Sequence, residues 1–210
     1  MLTVDHISTY GWDAAIRGMR NPLNSWNFTD TKFDFETGKI AVLGPKDLNL
    51  MKKLARAGHD HGKFLRMIGI SCDICAPLYW WKEFDTYKVG TVANSCSTMH
   101  KIHDKQFTLN DFSTEHLVYV PKDIFLDVIS TLNDCREKFI ETREKSWWWQ
   151  MVQLLPSSYN QLRTVMLNYE VARTMYDARH AHKLDEWHTL CDKFMNDLPY
   201  FKEICYESVE

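Results

Sequence analysis

The 210-residue sequence predicts an α+β chain, and three observations carry that expectation. Met67 to Cys75 alternates, with Ile68, Ile70, Cys72 and Ile74 on one side, as strand geometry requires. Gln161 to Leu167 is dense in β-branched and large apolar residues and reads as a buried strand. Elsewhere the apolar residues recur at intervals of three and four, which is helical spacing.

Taken in order, Leu2 to Ile7 is expected as a strand, followed by a helix near Trp12 to Met19 that ends at Arg20-Asn21-Pro22. The polar stretch from Asn24 to Gly38 reads as a loop or hairpin. Pro45 opens a helix with Leu48, Met51, Leu54 and Ala55 on one face, closed by Gly58. After the Met67 to Cys75 strand, Pro77 begins a helix expected to run through Lys88. Pro121 begins another, with Ile124, Phe125, Val128, Ile129, Leu132 and Phe139 in helical period. Leu184, Trp187, Leu190, Cys191, Phe194 and Met195 form a last amphipathic helix before Pro199. Neither an internal repeat nor a low-complexity linker interrupts the chain, so one domain spanning 1–210 is expected.

Composition narrows the function classes. A net charge of −3 gives no basic surplus, which argues against nucleic-acid binding as the main role. A mean hydropathy of −0.39 and the start Met1-Leu2-Thr3-Val4-Asp5 argue against a signal peptide or a membrane span. The triplet Trp147-Trp148-Trp149 is flanked by Arg143, Glu144 and Lys145, so it is no membrane segment either. Eight tryptophans suit core packing first, with stacking on a planar ligand as the other use.

Six cysteines with no sign of secretion imply reduced thiols in a cytoplasm. Cys72-Asp73-Ile74-Cys75 has the CxxC form, but in a strand those two residues point to opposite faces, which disfavours a disulfide or a zinc site. His59 with His61, His100 with His103 and His180 with His182 are close pairs, yet no Asp, Glu or Cys recurs at an interval that completes a metal site. No G-x-G-x-x-G occurs, so a Rossmann-type dinucleotide site is not expected.

The most informative stretch runs from Leu155-Pro156 to Arg179-His180-Ala181-His182. Asn168 reads as an N-cap, because Val171, Ala172, Met175 and Tyr176 follow at helical spacing. Asn168 and Arg179 lie 11 residues apart, about three turns, and so project from the same side. An amide and a guanidinium at opposite ends of one short helix suit a large, planar, polar ligand. A helix-terminal arginine offsetting the helix dipole is the plainer alternative.

This run resembles the flavin-dependent thymidylate synthases. That family has a Leu-Pro, a strand, an Asn, a helix, and an Arg followed by His and Trp. Leu155, Pro156, Asn168 and Arg179 fall in register, and His182 and Trp187 follow with one residue inserted after Arg179. Gly58-His59 and Ala76-Pro77 match two upstream pieces, and the resemblance spans roughly residues 45 to 200. The family signature R-H-R-x-x-S-x-N-E-x-S-x-R falls on Thr86-Tyr87-Lys88-Val89-Gly90-Thr91-Val92-Ala93-Asn94-Ser95-Cys96-Ser97-Thr98. Lys88 keeps one charge and Thr91 one hydroxyl, and a one-residue slip pairs Asn94 and Ser97 with the family's Asn and Ser. Thr86 and Thr98 stand where two arginines belong, and Glu83 where the family has Gln.

The resemblance implies a single mixed sheet flanked by helices, of the thymidylate-synthase-complementing-protein type, assembled as a cytoplasmic homotetramer. It implies reductive methylation of dUMP to dTMP, with FAD as cofactor and NADPH and methylenetetrahydrofolate as cosubstrates, or a closely related pyrimidine-nucleotide modification. Arg179 takes the catalytic, base-recognising role. His59, Lys88, Thr91, Asn94, Asn168 and His182 are the flavin-binding candidates, and Glu83, Ser97, Thr98 and Arg179 the nucleotide-binding ones; no metal is implied. The alternative is a non-catalytic nucleotide- or flavin-binding protein on the same scaffold. Cys96, beside the signature serine, reads as a small pocket-wall residue before it reads as a nucleophile. Lys82, His100, Lys101 and Arg163 are the cations that could replace the missing arginines.

Overall fold

The computed structural model describes residues 2–34 and 36–209. In chain order it contains β1 (Thr3–Tyr10), α1 (Trp12–Arg20), β2 (Lys32–Phe33), β3 (Ile40–Val42), α2 (Pro45–Arg56), β4 (Gly69–Pro77), α3 (Leu78–Phe84), β5 (Val92–Ser95), α4 (Tyr119–Thr142), α5 (Lys145–Leu154), β6 (Asn160–Asn168), α6 (Tyr169–Arg179), α7 (Asp185–Asp197) and α8 (Phe201–Cys205). Four strands form one sheet in the order β1-β4-β6-β5, and β2 pairs with β3 as a separate antiparallel ribbon. Two sheets therefore stand where one mixed sheet was expected. The Tyr169 N–H donates to the Ile68 carbonyl and the Leu78 N–H to the Tyr159 carbonyl, both at 3.0 Å, so β4 and β6 run antiparallel.

The alternation read from β4 is borne out. Ile68, Ile70, Cys72, Ile74 and Ala76 are all buried, whereas Ser71, Asp73 and Cys75 are half-buried. Cys72 and Cys75 are both free thiols on opposite faces. Burial, with the Asp73 charge beside it, pushes the Cys72 thiol up to about 12. Strand β6 departs from the expectation of two-sided burial. Val165 and Leu167 are buried, but Leu162 and Met166 lie 43% and 46% exposed.

The chain divides into two compact units, and β4, β5 and β6 contribute residues to both. In the unit built from 74–86 and 94–164, α4 and α5 pack around Phe107, Phe112, Ile129, Leu132, Cys135 and Met151. Trp147 and Trp148 lie against that cluster, and the Lys145 ammonium stands 6.0 Å from the Trp148 ring and 5.8 Å from Trp149. Most of the tryptophan triplet is thus packing material.

In the other unit, Trp12 meets the Tyr169 ring edge-on at 5.3 Å, and Tyr169 meets Phe201 at 5.4 Å. The Tyr169 hydroxyl donates to the Pro199 carbonyl at 2.8 Å. Helix α2 ends near Gly58, whose φ of +102° is a left-handed conformation that glycine adopts without steric cost.

Several element boundaries moved. The expected 24–38 loop or hairpin holds one short 3₁₀ turn, Trp26–Phe28, and then β2, the first strand of the β2–β3 ribbon; Phe35 within it, like Met1, lies outside the described residues. The helix that Pro77 opens stops at Phe84 rather than Lys88. There Thr86 donates its hydroxyl to the Glu83 carbonyl at 2.7 Å, and its N–H reaches the same carbonyl, which closes the helix end. Helix α7 is not the last, because the chain turns at Tyr200, φ +56°, into α8. Among the described residues no helix is long and apolar enough to cross a membrane.

Candidate functional site

Asn168 caps α6 as expected. Its side-chain oxygen accepts the Val171 N–H at 3.0 Å, satisfying one of the donors a helix start leaves without an intrahelical partner. Arg179 ends the same 11-residue helix, about 16 Å away at 1.5 Å per residue. Its Nε donates to the Tyr87 hydroxyl at 3.0 Å. Its guanidinium carbon lies 5.0 Å from the Trp187 ring centre and 5.7 Å from that of Tyr87. Both separations fall within cation–π range. Trp187 is fully buried on α7, and Tyr87 meets it at 6.0 Å. Arg179 is thus a half-buried cation held by two rings.

Tyr87 belongs to a short turn that leads into β5. Gly90, φ +79°, allows the turn, and the Thr91 hydroxyl donates back to the Tyr87 carbonyl. Thr91 therefore braces the turn, while Lys88 is exposed on it. A Cβ at Gly90 would come within 3.1 Å of Asn168 Nδ2 and 3.0 Å of Val171 Cγ2, so the close approach needs glycine. Tyr10, Arg66, Met67, Gly69, Gly90, Val92, Met166, Leu167 and Asn168 line a cavity of about 290 Å³ here. Its walls are mostly apolar, and Arg66 is its one charged lining residue.

His59 stands on the loop after α2 and pairs through Nδ1 with Glu170 Oε1 at 2.7 Å, while Arg66 Nε holds Glu170 Oε2 at 3.0 Å. Glu170 therefore orients both. His59, Glu170, Arg56, Arg173 and Asp177 line a second cavity of about 240 Å³ with charges of both signs. His182 accepts the Leu184 N–H on Nδ1 at 3.2 Å and sits edge-on to Trp187 at 6.4 Å. It braces the start of α7.

The remaining candidates belong to the other unit. Glu83 is half-buried on α3, Asn94 is exposed on β5, and Thr98 is half-buried in the following loop. The Ser97 hydroxyl oxygen accepts the N–H groups of Met99 and His100 at 3.2 and 2.8 Å, which shapes that loop. Cys96 is exposed, with its N–H on the Leu162 carbonyl at 2.9 Å. Arg163 is already engaged: its Nη1 meets Asp85 Oδ1 at 2.7 Å, and its guanidinium lies 4.1 Å over the Trp81 ring. Lys101 pairs with Asp104 at 3.2 Å. Two of the cations that could replace the missing arginines are therefore committed to neighbours. Among the described residues, no group of three or more His, Cys, Asp or Glu is placed to hold a metal ion.

No protein-family model and no curated protein sequence matches this chain. Solved structures do. Thymidylate synthase X from Helicobacter pylori, solved with FAD and dUMP, is similar over 99% of this chain and 98% of that one, with a TM-score of 0.71 at 15% identity. A second structure of the flavin-dependent enzyme from that organism, also complexed with FAD and dUMP, covers 97% of both chains with a TM-score of 0.69 at 17% identity. The chain has the flavin-dependent thymidylate synthase fold.

On that fold, the residues that sequence reasoning passed over are Tyr87, Arg66 and Glu170. Tyr87 lay in plain view between Thr86 and Lys88, but its meaning depends on Arg179, 92 residues away. Glu170 is the second residue of the helix that Asn168 caps, and only folding brings it to His59 and Arg66.

Proposed function

We propose that this chain binds FAD and a pyrimidine nucleotide such as dUMP, and methylates C5 of the uracil ring with a methylene unit from methylenetetrahydrofolate. NADPH serves as the reductant. The observation that carries the reading is Arg179, held against Tyr87 and Trp187, the residue to which the resemblance assigns base recognition. The likeness to a protein solved with FAD and dUMP supports the same reading.

The residues present suit a flavin. An isoalloxazine ring has apolar faces and a polar edge. The cavity at Asn168 offers Tyr10, Met67, Val92 and Met166 as walls, with the Asn168 amide and the Arg66 cation as polar groups and no acidic side chain. That polarity suits a cofactor carrying two phosphates. When bound, FAD supplies the hydride and relays the one-carbon unit; the protein's part is orientation and electrostatics. At about 290 Å³ the cavity is smaller than the ~300–1,000 Å³ typical of sites that enclose whole ligands. A second copy of the chain completes it in a homotetramer.

Arg179 polarises the uracil carbonyl and N3 edge. Lys88 provides a cation for the nucleotide phosphate. Of the other flavin candidates, His59, aligned by Glu170, lines the neighbouring cavity, and Thr91 and His182 brace the backbone around Arg179.

A non-catalytic flavin- or nucleotide-binding protein is the second reading. It is favoured by Arg163, whose guanidinium is taken by Asp85 and Trp81, and by Thr86 and Thr98 in place of arginines. Two missing charge-assisted hydrogen bonds at roughly 1.5–3 kcal/mol each correspond to about 10²–10⁴ in affinity.

Thermal denaturation against FAD concentration tests the cofactor, since a ligand that binds the native state raises the midpoint. Saturating FAD should stabilise the protein, and calorimetry on the FAD-loaded protein should then detect dUMP. Arg179→Ala should lose dUMP while keeping FAD. A protein indifferent to FAD is incompatible with both readings as flavoproteins.

A further inference from the structure

We infer that Tyr87 positions Arg179, so that nucleotide recognition depends on the Tyr87 hydroxyl. The consequence rests on the pyrimidine-nucleotide reading above; the geometry does not. A long arginine side chain samples many rotamers, whereas a base edge is met in one orientation, so the guanidinium needs holding.

The holding is visible. The hydroxyl accepts Nε–H at 3.0 Å and restrains the roll of the guanidinium about its stem. The Trp187 and Tyr87 rings, 5.0 and 5.7 Å from the guanidinium carbon, limit its tilt. Tyr87 is itself anchored twice. Its carbonyl takes the Thr91 hydroxyl across the Gly90 turn, and its ring leans on the fully buried Trp187. A rigid turn thus transmits its position through one phenol to one guanidinium.

The chemistry also separates Tyr87 from a surface brace. Phenylalanine keeps the ring and its contact with Trp187 and removes only the acceptor for Nε–H. A brace would lose a little stability on that change; a positioning residue loses ligand affinity through Arg179.

The test is a double-mutant cycle on FAD-saturated protein, with dUMP titrated calorimetrically into wild type, Tyr87→Phe, Arg179→Lys and the double variant. Tyr87→Phe should weaken dUMP about tenfold and leave FAD affinity unchanged. Lysine has no Nε–H of this kind, so Tyr87→Phe should cost nothing further in the Arg179→Lys background. Wild-type affinity in Tyr87→Phe, or an equal loss in both backgrounds, overturns the proposal.

Exchange of the Arg179 Nε–H with solvent, followed by NMR in ligand-free protein, reads the geometry alone. It should be at least about tenfold faster in Tyr87→Phe than in wild type, and equal exchange overturns the positioning role whatever the nucleotide does. A wild type that binds no pyrimidine nucleotide, but whose exchange responds to Tyr87→Phe, overturns the functional reading and the nucleotide half of this inference while leaving the contact itself standing.

Discussion

Asp47, fully buried in the first turn of α2, accepts hydrogen bonds from five donors. Arg20 Nε and the hydroxyls of Thr29 and Thr31 reach it at 2.7 Å, and the N–H groups of Thr31 and Asp30 at 3.0 and 3.1 Å. Burial alone would push this carboxyl up, but the bonds from Thr31, Thr29, Arg20 and the Asp30 N–H together hold it below the ordinary carboxylate value. Because its folded value is depressed, its contribution to stability is fully present above the unfolded value near ~3.9 and is lost as pH falls through the folded one. Asp47→Asn should therefore be about 3–5 kcal/mol less stable at neutral pH, because Arg20 is left buried without its partner charge. It should also show a flatter acid limb than wild type. Urea unfolding from pH 7 down to pH 3 checks both, and a neutral-pH difference under about 1 kcal/mol would show that the pair contributes little. The clasp escapes sequence reading because its partners come from an uninterpretable polar loop and a helix 27 residues from Arg20.

At the scale of elements, α6 carries two duties that a pair of substitutions at Asn168 separates. Asn168→Ala removes the cap and should cost about 1 kcal/mol of stability. Asn168→Asp keeps a capping oxygen at a helix start, where negative charge is favoured, and should leave stability intact. It also puts a carboxylate at the cavity proposed for the flavin, so FAD affinity should fall about tenfold or more at 1.4 kcal/mol per decade. Thermal melts with and without FAD distinguish the two effects; Asn168→Asp binding FAD like wild type would remove Asn168 from the cofactor site. The cap, the helix and β4 were legible because their signals are local: a side chain that bonds three residues on, and a face that repeats every second residue. Strand β5 and the early end of α3 were not. They depend on the Thr86 and Thr91 hydroxyls closing backbone turns, and nothing in residue spacing announces that.

At the scale of the whole molecule, several large apolar residues are exposed. Val120, Ile124 and Leu126 on α4, Trp149 on α5, and Leu162 and Met166 on β6 are among them. Such surface suits burial between subunits. The apolar composition of β6 was thus readable from sequence, but the face it leaves open within one chain was not, because periodicity does not say what covers a strand. Light scattering should give four times the 24.8 kDa chain mass, and a monomer at all concentrations would contradict a site completed by a second copy. The architecture was legible because element order tolerates sequence change that the signature residues do not. At 15–17% identity the fold matches over nearly the whole chain, while the signature stretch of this sequence has Thr86 and Thr98 where the resemblance leads one to expect arginines. One measurement bears most directly on whether chemistry survives that change. Purified protein is incubated with FAD, NADPH, methylenetetrahydrofolate and dUMP, and the nucleotides are separated by chromatography. The expected product is dTMP, formed only when FAD is present and absent in Arg179→Ala. No dTMP from protein that binds both FAD and dUMP would contradict it and leave a binding protein on this fold.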